Sequence, residues 1–399
     1  MGLKRETDVM VVGAGPVGLF AALSLAERGV RVQVVDKGWR GSMHSYALAL
    51  HPASLCLLGE YRVVGDLLNQ GNRVERIAIF DGDDEVGALD LSALDGPFPF
   101  VLVVPQSALE IALEKRLKQA GVKVFWNHQA MALESGNEEV RTRVARMEKY
   151  SMGYPVAHTE WMIAKEFSIK SGFLVGADGY HSFIRNHLDS RFEHQGEAET
   201  FSVFEFPAQL KSRHEARVVF RNGSTNVVWP LSDDRARWSF QVDEAPEAPP
   251  AVGSLQEFVR TRAPWFQPPQ AIHWSTTVMF ERRLVDRFGR GRIWLVGDAA
   301  HITGPVGSQS MNVGLREAHD LAERFSSILE GGAGPEALED YQAERLAEWR
   351  RLLGVEGGIE FREGSPDWIH EKVKRILPCV PASGEEMRRL LEQLGVELS

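Results

Sequence analysis

The stretch "DVMVVGAGPVGLFAALSLAERGVRVQVVDK" (8–37) limits the possible folds of this chain more than any other. Val9 to Val12 reads as a short buried strand, Val17 to Arg28 carries apolar residues at helical spacing, and Val30 to Val35 is a second strand rich in branched residues. Between the first strand and the helix, Gly13, Ala14, Gly15, Pro16, Val17 and Gly18 spell GxGxxG. In that motif Gly13 permits the tight turn, Gly15 lets the backbone approach a pyrophosphate, and Gly18 lets helix and sheet pack closely. The helix N-terminus then presents free N–H groups to the phosphates. Asp36, followed by Lys37, ends the second strand, where a carboxylate can take both hydroxyls of an adenosine ribose. GxGxxG alone is weak evidence; with strand, helix and acid in order it predicts a dinucleotide-binding unit. "GAGPEA" (332–337) also satisfies the pattern, but a helical segment precedes it and no acid-tipped strand follows, so it reads as a linker.

Composition narrows the function classes. With 44% apolar and 25% charged residues, the chain is expected to bury a sizeable globular core. A net charge of −10 argues against nucleic acid as a partner, since a binder of phosphate backbones shows a basic face. Two cysteines, Cys56 and Cys379, make no disulfide framework and fit no metal spacing, so no metal is expected and the cytoplasm is the default location. The uncharged run from Val9 to Ala26 could pass for a signal peptide or anchor. Its three glycines and Pro16 are better explained by the nucleotide motif, and no targeting segment or membrane span is read.

Two further segments repeat the pattern of a strand ending in an acid. "GFLVGADGYHSFIRNHL" (172–188) ends its strand at Asp178 and Gly179 and continues into a helix carrying Arg185. "RIWLVGDAAH" (292–301) ends at Asp298. Both put a carboxylate at the C-terminal edge of a parallel sheet, where ligands of such folds sit. One such acid alone is as well explained as a helix cap.

Together the three segments resemble the single-component FAD-dependent aromatic hydroxylases, the para-hydroxybenzoate hydroxylase family, over roughly residues 8 to 330. That family has an N-terminal GxGxxG, a central DG and a later GD, here Asp178-Gly179 and Gly297-Asp298. The resemblance implies an α/β fold: a Rossmann-like FAD-binding domain, an inserted antiparallel substrate sheet and a C-terminal helical segment. It implies FAD as cofactor, with Asp36 on the adenosine ribose and Asp298 on the ribityl chain. Asp178, with Arg185 nearby, would serve the pyrophosphate side and the route of the nicotinamide donor. Gln106, in "VPQSALEIALEKRL", matches a FAD-contacting Gln or Arg at a helix start.

By the same likeness, "GPVGSQSMNVG" (304–314) passes Pro305 and runs beneath the flavin ring. A helix beginning near Ser310, with that serine as its N-cap, would aim the N–H groups of Met311 and Asn312 at the ring edge that turns negative on reduction. Two departures stand out. Gly307-Ser308-Gln309-Ser310 replaces the family's Gly-Gly-Gln-Gly, and Tyr46 in "MHSYALALHPASLCLL" stands where Arg is usual, with Arg40 a possible substitute.

The implied layout is FAD-binding domain at 1–78, 104–190 and 285–330, substrate domain at 79–103 and 191–284, and a helical segment at 331–399. Turns at Asn222-Gly223 and around Ser232 to Asp234 predict an antiparallel sheet over 200–243. Phe201, Phe220, Trp229, Trp238 and Phe240 are candidate pocket-lining residues, each weighed against a place in the core. His51 and His301 fall near the inferred flavin loops, and both are more often structural than catalytic. No catalytic base is assigned. The expected activity is an NADH- or NADPH-consuming monooxygenase that hydroxylates an electron-rich aromatic small molecule with O2 through a flavin C4a-hydroperoxide. A flavin halogenase would need a WxWxIP tract, which is missing here. A flavin-linked reductase or dehydrogenase, or a non-catalytic scaffold, would carry the same FAD-binding motifs.

Overall fold

The opening segment folds as strand, helix, strand: β1 (Glu6–Val12), α1 (Pro16–Glu27) and β2 (Val32–Val35). A computed structural model describes residues 2–39, 49–152, 158–210, 212–232, 234–245, 249–304 and 307–398. After helix α2 (Pro52–Glu60) and helix α3 (Gln106–Gln119), the chain adds β3 (Val124–Phe125) beside β2. A long strand, β4 (His158–Gly176), then enters on the other side of β1. Next come the short helix α4 (Phe183–His187), helix α5 (Val252–Arg262) and β5 (Ile293–Leu295). The parallel order is β5–β4–β1–β2–β3. Val9, Met10 and Val11 are fully buried, as expected of a parallel strand covered on both faces.

Helix α1 is apolar all round and buried from Pro16 to Leu25, because the sheet covers one side and helix α6 (Gln309–Leu329) the other. Gly314 of α6 sits where a Cβ would fall 2.9 Å from Val17. A glycine there is what lets the two helices close.

A seven-stranded second sheet takes its strands from two places. Glu199–Pro207, Glu215–Arg221, Ser224–Pro230, Arg235–Val242 and Trp274–Phe280 pair antiparallel, and the hairpin Arg76–Asp81 and Asp84–Asp90 extends the edge through a parallel pairing with Glu215–Arg221. Asn222 and Gly223 both have positive φ, the backbone that a two-residue hairpin turn requires.

Both faces of this sheet are covered, and that decides the five aromatics in favour of the core. Trp238 and Phe240 pack with Phe204 and Phe206 against α5. After helix α7 (Glu336–Leu352), the C-terminal helices α8 (Asp367–Ile376) and α9 (Gly384–Glu392) lie on the opposite face. There Phe201, Phe220 and Trp229 join Ile369, Val373 and Leu390 in one core. All five aromatics are structural.

Candidate functional site

At the end of β1 the backbone is crowded on two sides and open on one. Gly13 has φ +110°, and a Cβ there would lie 2.1 Å from the carbonyl oxygen of Ala177, just beyond β4. A Cβ on Gly18 would lie 2.1 Å from the carbonyl oxygen of Gly13. At Gly15 a Cβ would meet nothing within 4 Å. Two of the glycines let the protein close on itself, and the third faces empty space. Helix α1 begins there with no side-chain cap, which leaves its first-turn N–H groups available.

The space is a cavity of about 300 Å³ with a neighbouring recess of about 250 Å³. Gly15, Ala177 and Gly179 line both. Pro16, Val17, Gly18 and Gln106 line the cavity from one side, and Asp298, Ser308 and Met311 from the other. Gly13, Asp36, Lys37 and Asp178 line the recess. Ala14, Gly307 and Asn312 line neither. Phe280, Ile302 and Thr303 complete an apolar wall that sequence reasoning missed. Phe280 ends a strand of the second sheet, and spacing along the chain gave no signal for it.

The three acids differ in what they already hold. Asp36 accepts the N–H of Ala14 and of Gly38, each at 2.6 Å, so it braces the glycine turn from the end of β2. Asp178 accepts the Ser182 hydroxyl at 2.5 Å and the N–H groups of Phe183 and Ile184 at 2.7 and 3.2 Å. It takes up N–H groups at the start of α4, whose N-cap is Ser182; burial raises its carboxyl, and these donors oppose the shift. Arg185 donates to the carbonyls of Ala299 and Tyr180, at 2.9 and 2.6 Å, instead of facing the recess. Asp298 makes no hydrogen bond among the described residues. Its side chain is exposed and opens to the cavity. The protein packed around it raises its carboxyl above the ordinary range, with the Glu317 charge adding to this and His301 opposing. An exposed carboxylate with no protein partner is open to ligand donors such as hydroxyls. Gln106 opens α3 and donates to Glu110 at 2.7 Å.

The loop beneath the cavity departs from expectation at three residues. Helix α6 starts at Gln309, and its cap is Ser308, at φ +52° and with no side-chain capping bond. Ser310 is not the cap: its hydroxyl accepts the N–H of Thr303 at 2.9 Å, which folds the loop back on itself. Asn312 lies one residue too deep in the helix to offer a free N–H. Its amide donates to the carbonyls of Ala49 and Ser308 and accepts from the N–H of His51. Met311 remains in the open first turn. Arg40, Tyr46 and Pro305 lie outside the described residues.

Because Ser308 holds a left-handed backbone without a compensating side-chain bond at the cap, Ser308→Gly should raise stability by up to about 1 kcal/mol. Equilibrium unfolding in urea checks this, and a lower midpoint would contradict it. His51 is buried behind the same loop and donates its Nε2–H to the carbonyl of Gly307 at 2.7 Å. Burial pushes its pKa from 6.5 to about 3, with the Arg316 charge adding to the fall. Below pH 6.5 the unfolded chain takes up a proton there that the folded protein refuses, so stability should fall on acidification toward pH 3. The slope from this group is about 1.4 kcal/mol per pH unit. Stability of His51→Gln between pH 7 and 5 should show a correspondingly flatter profile.

The family model described as FAD binding domain matches residues 6–354. The chain belongs to this FAD-binding family. Within it, the chain is 29% identical over 353 residues to a Bacillus subtilis protein named "Uncharacterized aromatic compound monooxygenase YhjG", covering 86% of this chain and 66% of that one. It is 26% identical to 6-hydroxy-3-succinoylpyridine 3-monooxygenase HspB of Pseudomonas putida, with 93% of each chain covered. The crystal structure of p-nitrophenol 4-monooxygenase PnpA from Pseudomonas putida superposes with a TM-score of 0.76 at 21% identity, over 98% of this chain and 99% of that one; this likeness concerns the fold. The chain spans 60–66% of the length of several curated relatives it matches.

Proposed function

We propose that this chain is a FAD-dependent monooxygenase that consumes NADH or NADPH and hydroxylates an electron-rich aromatic small molecule. The observation that carries the reading is one cavity that joins an unpartnered Asp298 to an open Gly15 at a bare helix N-terminus. Those features suit a ligand with a pyrophosphate and a polyol. Flavin held here would supply the redox chemistry of an oxygen-inserting reaction.

The protein's share is placement, charge and dryness. The first-turn N–H groups of α1 would face the pyrophosphate, and Asp298 would accept from the ribityl hydroxyls. Asp36 stands at the ribose end and stiffens the glycine turn in the same position. The N-terminus of α6 at Met311 favours negative charge on the reduced ring. Val17, Phe280, Val296 and Ile302 keep water from the reacting centre. No side chain is assigned as acid or base.

The monooxygenase names of the relatives favour this reading over a reductase, a halogenase or a silent scaffold. No helix among the described residues is long and apolar enough to cross a membrane. Two free cysteines suit the cytoplasm, which we propose as the location. The test is purification with bound flavin, followed by a screen of phenols and other electron-rich rings for accelerated NAD(P)H oxidation with hydroxylated product. A colourless protein that does not take up FAD would overturn the assignment. Asp298→Ala removes a charge-assisted bond worth about 1.5–3 kcal/mol, so its FAD dissociation constant should rise roughly ten- to a hundredfold. Fluorescence titration of the apoprotein measures it.

A further inference from the structure

Glu317 and His301 are ionisable, fully buried and unused by the chemistry proposed above. Glu317 projects from α6, more than a turn beyond the end that faces the cavity. Its Oε2 accepts the N–H of Gly297 at 3.2 Å and the Nε2–H of His301 at 2.7 Å. Its Oε1 accepts the indole N–H of Trp349, on α7, at 2.5 Å. His301 lies flat on that indole, with ring centroids 3.7 Å apart and planes 22° apart. Its Nδ1 is buried without a partner.

Gly297 and His301 bracket the short turn that carries Asp298. One carboxylate oxygen therefore grips both ends of that turn, and the other anchors it to a tryptophan from a different part of the chain. Burial alone would push the Glu317 carboxyl up, but His301 and Trp349 overcome this and hold it below the ordinary range. The charge is retained. A buried carboxylate that ties both ends of one turn to a distant tryptophan is a costly arrangement for mere packing.

We propose that Glu317 is a positioning residue for FAD: by holding Gly297 and His301 together it fixes Asp298 at the distance the flavin's polyol chain requires. The proposal rests on the FAD reading above. Glu317 touches no ligand. It acts only through Asp298, and this separates it from a purely structural charge.

The experiment is FAD titration of apoprotein variants, with flavin absorbance and apoprotein melting recorded alongside. Glu317→Gln puts an amide N–H against one set of donors, so the turn should slip. Its FAD dissociation constant should rise about tenfold, with a shifted spectrum of the bound flavin. Trp349→Phe keeps the stacked ring, loses only the indole donor, and should weaken FAD by a smaller factor. In an Asp298→Ala background, Glu317→Gln should cost no further affinity, because the residue it positions is gone. Glu317→Gln or Trp349→Phe apoproteins that melt earlier yet bind FAD with wild-type affinity and spectrum would overturn the proposal. So would full additivity with Asp298→Ala. Should Glu317→Gln fail to fold, Trp349→Phe alone and combined with Asp298→Ala carries the same two outcomes. Wild-type apoprotein that takes up no FAD would instead refute the functional reading itself.

Discussion

Valine at position 15 should leave the apoprotein folded and abolish its hold on FAD. A Cβ at Gly15 meets nothing within 4 Å, and its backbone is already extended, with φ −71° and ψ 178°, so a branched residue fits without strain. The added methyl groups would occupy the place where the phosphates must approach the first turn of α1. The expected result is a Gly15→Val protein with a melting temperature within a few degrees of the wild-type apoprotein and no measurable flavin after gel filtration. Retained flavin would remove the cavity from consideration as the pyrophosphate site.

Gly13→Ala should do the opposite, destroying the fold before any ligand is involved. Its φ of +110° is one that side chains rarely adopt, and the new Cβ would sit 2.1 Å from one backbone atom of Ala177 and 2.4 Å from another. Backbone atoms at the end of a central strand cannot step aside as the end of a lysine can. The cost should exceed about 4 kcal/mol, a large share of the total stability of a domain. Soluble yield and urea unfolding report it. Two glycines two residues apart thus separate folding from binding, and equal behaviour of the two variants would contradict the geometry.

The glycine turn was legible in the sequence because its spacing carries the physics directly: a tight turn, an approach and a helix contact each demand a missing side chain. The strand ends at Asp178 and Asp298 were legible too, but their duties were not. Asp178 accepts from Ser182 and from the start of the helix that follows it, whereas the Asp298 carboxylate stays unpaired, and the two look alike until neighbours in space are known. The aromatics of the second sheet stayed open between core and pocket for a related reason. Alternation marks which side chains share a face, yet it does not reveal that α8 and α9, from the far end of the chain, cover one of those faces. Ser310 resembled a cap by position, and only the fold shows Thr303 claiming its hydroxyl. Glu317, inside an amphipathic helix, carried no signal at all; its partners lie at Gly297, His301 and Trp349.

The order of the parallel sheet has a kinetic consequence. Val12 pairs with Gly176, and Gly176 in turn with Leu295, so the strands that surround the cavity are neighbours in space and far apart along the chain. Loops that long close slowly, and their entropy is spent before any contact is gained. During synthesis, β1 and α1 emerge early and must wait for β4 and β5, leaving an unpaired apolar strand edge exposed to other chains. Flavin bound at the proposed site could not rescue that interval, because the cavity does not exist until the last of these strands has docked. Once bound, it stabilises the whole assembled sheet by mass action and not one local element. Cofactor supply should therefore govern how long the finished protein lasts, while the yield of correctly assembled chains is set earlier, by temperature and by chaperones that shield the waiting edge.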